Sequence, residues 1–138
     1  MIDLTHPHDR LFKALFSHPE TAGHLLRQYL PSEVVALFAP ETPELVEGSF
    51  VDEALLAYYS DRLFRIRTVD DKEAFIYVLM EHKSYPDRRV ALQLARGIMG
   101  TFEQEARSDA AWGLLPAVVP LVLYHGERTW TISHALLT

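Results

Sequence analysis

The chain has no cysteine. That excludes disulfides and thiolate-ligated metal centres. Glycine is sparse, with six in 138 residues. None is arranged as G-x-x-x-x-G-K-[ST], G-x-G-x-x-G or G-x-S-x-G, so nucleotide-driven and serine-hydrolase chemistry have no support. A long apolar run is also missing. The longest, from Trp112 to Tyr124, is broken by Gly113, Pro116 and Pro120, and a bilayer-spanning helix needs about 20 apolar residues. The opening MIDLTHPHDR shows no basic segment followed by an apolar one, so no signal peptide and no membrane partner are expected, and the expected location is cytoplasmic. Finally, basic charge is not in excess. Thirteen Lys and Arg stand against 19 Asp and Glu, a net charge of −6, which argues against a broad basic nucleic-acid footprint.

What remains is an ordinary globular composition, 49% hydrophobic and 23% charged, in a chain long enough to bury a core as one domain. The charge is unevenly spread. Acids concentrate in 41–53, 70–73 and 103–109, while Arg62, Arg65, Arg67, Lys83, Arg88, Arg89 and Arg96 lie in or near the middle segments. Two readings stand side by side: a local basic groove on an acidic body, or arginines paired with nearby acids on a solvated surface.

Residues 8–30 read as helix, break, helix. Leu11, Leu15 and Phe16 share one face, Ala22, Leu25, Leu26 and Tyr29 the next, and Pro19 suits a first helical turn. A short helical piece is expected at 32–38 and a loop at 39–48. Phe50 to Leu56 fits either a short strand or an irregular lead-in. Residues 61–69 and 74–81 are rich in β-branched and aromatic residues around Asp70-Asp71-Lys72-Glu73, which reads as a hairpin turn. A long helix follows over 87–107, with Val90, Leu94, Ile98, Phe102 and Ala106 as its apolar stripe. Gly97 and Gly100 interrupt it and suggest close packing there. PAVVPLVLY at 116–124 reads as a buried strand, with Pro120 pointing to an edge or irregularity. Trp112, Trp130, Phe12 and Phe16 are expected in the core. The order implies an α/β (α+β) domain. The last residues, His134 to Leu137, look like the start of a further element, so the chain is expected to be the N-terminal part of a longer protein.

The chemistry centres on the hairpin. With a loop at 70–72, Asp61 falls directly opposite Glu81, and opposed residues of an antiparallel pair have Cβ atoms about 4.5–5.5 Å apart. Two carboxylates so placed repel unless a cation or a proton sits between them. Strand alternation puts Glu81 and Lys83 on one face and His82 on the other. The plainer reading of the same residues is a capped strand start at Asp61 and a surface salt bridge between Glu81 and Lys83.

The blocks HDRLFKALFSHPETAGHLLRQYLP, ELVEGSFVDEALLAYYSDRLFRI, YVLMEHKSYPDRRVALQLARGIM and LPAVVPLVLYHGERTW resemble, in order and over nearly the whole chain, the recombination-promoting nucleases, or YhgA-like transposases, of the PD-(D/E)XK superfamily. The resemblance implies a restriction-endonuclease-like αβββαβ core, a mixed sheet flanked by helices. It also implies Mg²⁺-dependent DNA endonuclease chemistry, with Mn²⁺ as an alternative metal, linked to recombination or transposition in bacteria. On this resemblance Asp61 is the metal-binding Asp, and Glu81 and Lys83 are the E-x-K pair. The family often has Gln where Lys83 stands, and a small or apolar residue where Arg62 stands. Mg²⁺ is then expected on Asp61, Glu81 and the His82 carbonyl, with Lys83 orienting the attacking water or neutralising the phosphorane. Gln93 and Asp9 are candidate further site residues. Their alternatives are a solvated helix position for Gln93 and a helix cap with His8 for Asp9. Arg62, Lys83, Arg88 and Arg89 are candidate contacts to DNA.

His8-Asp9 also matches the HD pair of HD-domain phosphohydrolases, but the strand-rich middle lacks that site's further His and Asp residues. Two functions are carried forward: an endonuclease on double-stranded DNA, suited to a homodimer because a duplex has two strands to cut, and a non-catalytic DNA-binding or regulatory module with the nuclease fold. The sequence leaves RNA open as a substrate.

Overall fold

The structure, a computed structural model, describes residues 7–82, 88–108, 115–124 and 131–132. Along them run α1 (Pro7–Phe16), α2 (Pro19–Tyr29), α3 (Ser32–Val35), β1 (Glu44–Val46), a 3₁₀ turn (Glu53–Leu55), β2 (Tyr59–Arg67), β3 (Glu73–Glu81), α4 (Arg89–Ser108), β4 (Ala117–Tyr124) and β5 (Thr131–Ile132). The strands form one sheet in the order β1-β2-β3-β4-β5. All neighbours are antiparallel except β3 and β4, which are parallel. Parallel neighbours need a crossover connection, and α4 provides it. The expected α+β architecture, a mixed sheet flanked by helices and compatible with a restriction-endonuclease-like core, is what forms.

Side-chain alternation sorts the core into two layers. Phe64, Ile66, Ala74, Ile76, Val78 and Met80 face one way and pack with Phe12, Phe16, Ala22 and Leu26 of α1 and α2. Tyr59, Leu63, Phe75, Tyr77 and Leu79 face the other way and pack with Leu94 of α4 and with Phe50, Val51 and Leu55. Strand β3 is covered on both faces, which is why it reads as an unbroken apolar run. Pro120 of β4 pairs with Tyr77 of β3, while β5 reaches only Leu123 and Tyr124. The proline therefore sits where its missing N–H breaks no ladder among the described residues.

Of the two readings of Phe50 to Leu56, the irregular lead-in is the one that forms, with a 3₁₀ turn in it. Three expectations change. β1 lies inside the segment read as a loop. The buried stripe of α4 is Gln93, Leu94, Gly97 and Thr101 rather than a purely apolar one. The hairpin register also moves. Thr68 N–H donates to the Lys72 carbonyl (2.8 Å), so the loop is Val69-Asp70-Asp71 rather than 70–72. Consequently Asp61 pairs with Leu79, and Glu81 pairs with Tyr59. A three-residue hairpin loop wants a left-handed residue at its last position. Asp71, with φ 62°, takes it, and aspartate tolerates that region better than most residues. Shifting the loop by one residue shifts the pairing by two, so every side chain keeps its face. Asp71→Val is accordingly expected to cost about 1–2 kcal/mol of stability and Asp71→Gly close to none, as read by urea unfolding.

Arg65 ties the sheet to α4. It bonds Glu73, lies 3.3 Å from Glu105 and 3.4 Å from Glu44, and its guanidinium stands over the Phe75 ring. Burial opposes the charge on Arg65, but these acids prevail and raise its pKa. Arg67 pairs with Asp71, and Arg96 pairs with Asp52 at 2.7 Å. These three arginines follow the surface-pairing reading.

Candidate active site

Asp61 lies within β2, two residues past its start, and Glu81 closes β3. Both sit on the α4 side of the sheet, and both are buried, at 3% and 0% exposure. The plainer readings therefore fail: Asp61 does not cap a strand start, and Glu81 is not a surface group. With Tyr59 opposite Glu81, Asp61 is its diagonal neighbour. Such positions are about 7–8 Å apart, within reach of a long side chain. The two acids stand at diagonal positions rather than face to face.

A dense set of donors holds Asp61. Oδ1 accepts from the Ser49 hydroxyl. Oδ2 accepts from the Phe50 N–H (2.8 Å) and from the Tyr77 hydroxyl (2.7 Å). Gln93, at 0% exposure, ties these donors together. Its Nε2 donates to the Phe50 carbonyl (2.9 Å) and to the Tyr77 oxygen (3.0 Å), and its Oε1 accepts from Asp52 N–H (3.4 Å). Burial, and then the adjacent Asp61 charge, push the Tyr77 phenol well above its ordinary value. Tyr77 therefore keeps its proton and remains a donor to Asp61. Gln93 is a buried link in this network, not the solvated helix residue of the alternative reading.

The other candidates are placed unevenly. Lys83 lies outside the described residues. Asp9 is on α1, and its side-chain surroundings are also outside them. His82 points to the opposite face from Asp61. Its Nδ1 lies 3.2 Å from the Ala57 carbonyl and its Nε2 lies 2.8 Å from the Ser60 hydroxyl. A carbonyl at Nδ1 requires a proton there, so in neutral His82 Nε2 accepts from Ser60. The His82 backbone N–H donates to the Tyr58 carbonyl (2.8 Å), extending the hairpin one step past β3. Arg62 likewise faces away from Asp61, though its Nη1 reaches back to the Asp61 carbonyl (3.0 Å). Arg88, immediately before α4, is exposed. The Arg89 guanidinium stacks on the Tyr58 ring at 4.1 Å. The HD pair lies at the start of α1. Among the described residues no group of three or more His, Asp or Glu is placed to hold a metal, and no helix is long and apolar enough to cross a membrane.

The oxygen donors present suit a hard divalent cation. A carboxylate offers about four acceptor positions. Asp61 uses three of them on protein donors, which leaves one lone pair on Oδ1. The acid pair therefore fits Mg²⁺ in donor chemistry. Sequence reasoning missed Tyr77 and Ser49. For Tyr77 a signal existed, since it shares strand parity with Glu81 and a buried phenol needs a hydrogen-bond partner. Ser49 lies in an irregular segment and gave none.

A family model described as "Putative transposase, YhgA-like" matches residues 6–138. The chain is 37% identical over 123 residues to the recombination-promoting nuclease RpnD of Escherichia coli O157:H7, covering 89% of this chain and 46% of that protein. It is 37% identical over 120 residues to the recombination-promoting nuclease RpnA of Escherichia coli K12, covering 87% and 40%. It is also 37% identical over 123 residues to a K12 protein named as an inactive recombination-promoting nuclease-like protein, RpnE, covering 89% and 40%. The chain thus spans less than half the length of these relatives. No solved structure matches it. A match that runs across the helices, the hairpin and α4 alike has one reading, and the chain belongs to the YhgA-like transposase family.

Proposed function

We propose that this chain is a metal-dependent endonuclease unit that cuts phosphodiester bonds in double-stranded DNA, in a process linked to recombination. The observation that carries this reading is the pair of buried carboxylates, Asp61 and Glu81, on one face of adjacent strands. Two acids on one face of adjacent strands supply the oxygen ligands that a hard divalent cation prefers, and Asp61 is oriented by three donors. Relatives named as recombination-promoting nucleases add support.

On this reading Asp61, Glu81 and the His82 carbonyl would hold Mg²⁺, or Mn²⁺ in its place. The cation would supply an acidified water and positive charge for the phosphate. Lys83 would orient the attacking water or offset charge on the phosphorus centre. Arg88, immediately before α4, and Arg89, which opens it, hold the DNA backbone, and Arg62 would reach it only from the other sheet face. Residues 1–138 act as one nuclease unit, and a homodimer would cut both strands. The second reading, a module that keeps the fold without cleaving, draws on the inactive relative of equal identity.

The experiment is plasmid cleavage. Wild type and Glu81→Ala are incubated with supercoiled DNA in Mg²⁺, Mn²⁺ or EDTA. Nicking by wild type that needs the metal, reduced on the order of 10²–10³-fold in the variant, is the expected result. Equal behaviour of the two proteins would favour the non-cleaving module.

A further inference from the structure

The glycines of α4 stand opposite two of the three residues that hold Asp61. A Cβ on Gly97 would overlap atoms of the Tyr77 ring, far inside van der Waals contact, and a Cβ on Gly100 would overlap the Phe50 ring in the same way. Tyr77 and Phe50 are the two donors to Asp61 Oδ2. One turn earlier on the same helix face, Gln93 bonds both of them, through the Tyr77 oxygen and the Phe50 carbonyl. Positions 93, 97 and 100 follow the i, i+4, i+7 spacing of one helical stripe. The two rings also lie against each other, with centroids 6.3 Å apart.

We propose that this stripe of α4 positions the metal-binding carboxylate. Gln93, Gly97 and Gly100 clamp Tyr77 and Phe50 so that a phenol proton and a backbone N–H lock Asp61 in one orientation. The proposal rests on the metal reading above and deepens it. Gln93 and Tyr77 are positioning residues and touch neither cation nor DNA. The two glycines are required because no side chain fits between the helix and the rings. The sheet places Asp61 on the correct face, and the helix decides where its oxygens point. A carboxylate free to rotate would have to be ordered when the cation binds, which weakens affinity. Removing a partner that orients a metal ligand typically costs about 10- to 100-fold in metal affinity.

The test is Mn²⁺ titration by calorimetry on wild type, Tyr77→Phe and Ser49→Ala, with thermal melting of each protein and the Mn²⁺ dependence of plasmid nicking alongside. Tyr77→Phe keeps the ring that fills the Gly97 notch and removes only the hydroxyl. Its Mn²⁺ dissociation constant, and the Mn²⁺ concentration for half-maximal nicking, are expected to rise together by about 10- to 100-fold. Ser49 is exposed, so Ser49→Ala folds whatever becomes of the core, and it removes the donor on the other oxygen. It is expected to weaken Mn²⁺ binding in the same direction. A purely structural role would lower the melting temperature of Tyr77→Phe and leave the Mn²⁺ affinity of the folded protein within twofold of wild type. That outcome, or unchanged affinity in Ser49→Ala should Tyr77→Phe not fold, overturns the positioning role and leaves the metal reading standing. Wild type that binds no Mn²⁺ overturns both.

Discussion

Asp61→Asn is expected to lose metal-dependent nicking on the order of 10²–10³-fold while melting close to wild type, and Asp61→Ala to lose both activity and fold stability. The difference follows from the donors. Asparagine can place its oxygen where Oδ2 stands and still accept from Phe50 N–H and the Tyr77 hydroxyl. Its amide nitrogen then meets Ser49 at the Oδ1 position, and a hydroxyl can turn to accept. Asparagine therefore keeps the network but lacks the charge that a divalent cation needs. Alanine leaves the Tyr77 hydroxyl and the Phe50 N–H without their acceptor. At about 1–3 kcal/mol for each buried unsatisfied donor, the loss is about 2–6 kcal/mol, a large fraction of a small domain's stability. Ser49 is exposed and can turn to water. Calorimetric melting and plasmid nicking on the two variants separate charge from scaffolding. Equal melting of the two would mean that the three donors do not depend on Asp61.

Gly97→Ala should destabilise the protein although alanine is the better helix former. The helical gain is about 1 kcal/mol. Against it stands a methyl group forced into the Tyr77 ring, and overpacking of this kind costs about 1–3 kcal/mol. The ring has little room to yield, because its hydroxyl is held between Asp61 and Gln93 and the residue is fully buried. The steric cost wins, for a net loss of about 1 kcal/mol. Gly97→Val adds a β-branched side chain and forfeits the helical gain, so its loss is about 3 kcal/mol or more. Urea unfolding measures both. A Gly97→Ala protein more stable than wild type would show that α4 can move away from the sheet at no cost.

The hairpin shows how much of the site was readable in one dimension. Alternation alone placed Asp61 and Glu81 on one face, and that survived a two-residue error in register because the side-chain period is two. The error arose in the loop, where four consecutive polar residues, Asp70 to Glu73, offered several positions for the left-handed residue. Only strand pairing selected Asp71. Gln93 was legible as a polar residue on the right helix, but its burial was not, since a lone glutamine in an amphipathic pattern reads as solvated. β1 escaped notice because three residues between two polar stretches carry no periodic signal.

By itself, the sequence determined the order of the main elements apart from β1, the placing of both acids on one face of the hairpin, and family membership. These properties depend on local periodicity and on ordered blocks of residues, which a linear chain displays. The tertiary structure alone decided which atoms hold the carboxylate. Ser49, Phe50, Tyr77 and Gln93 lie up to 44 positions apart. The first three converge on Asp61, Gln93 reaches it through Phe50 and Tyr77, and α4 comes this close to the two rings where Gly97 and Gly100 carry no side chain.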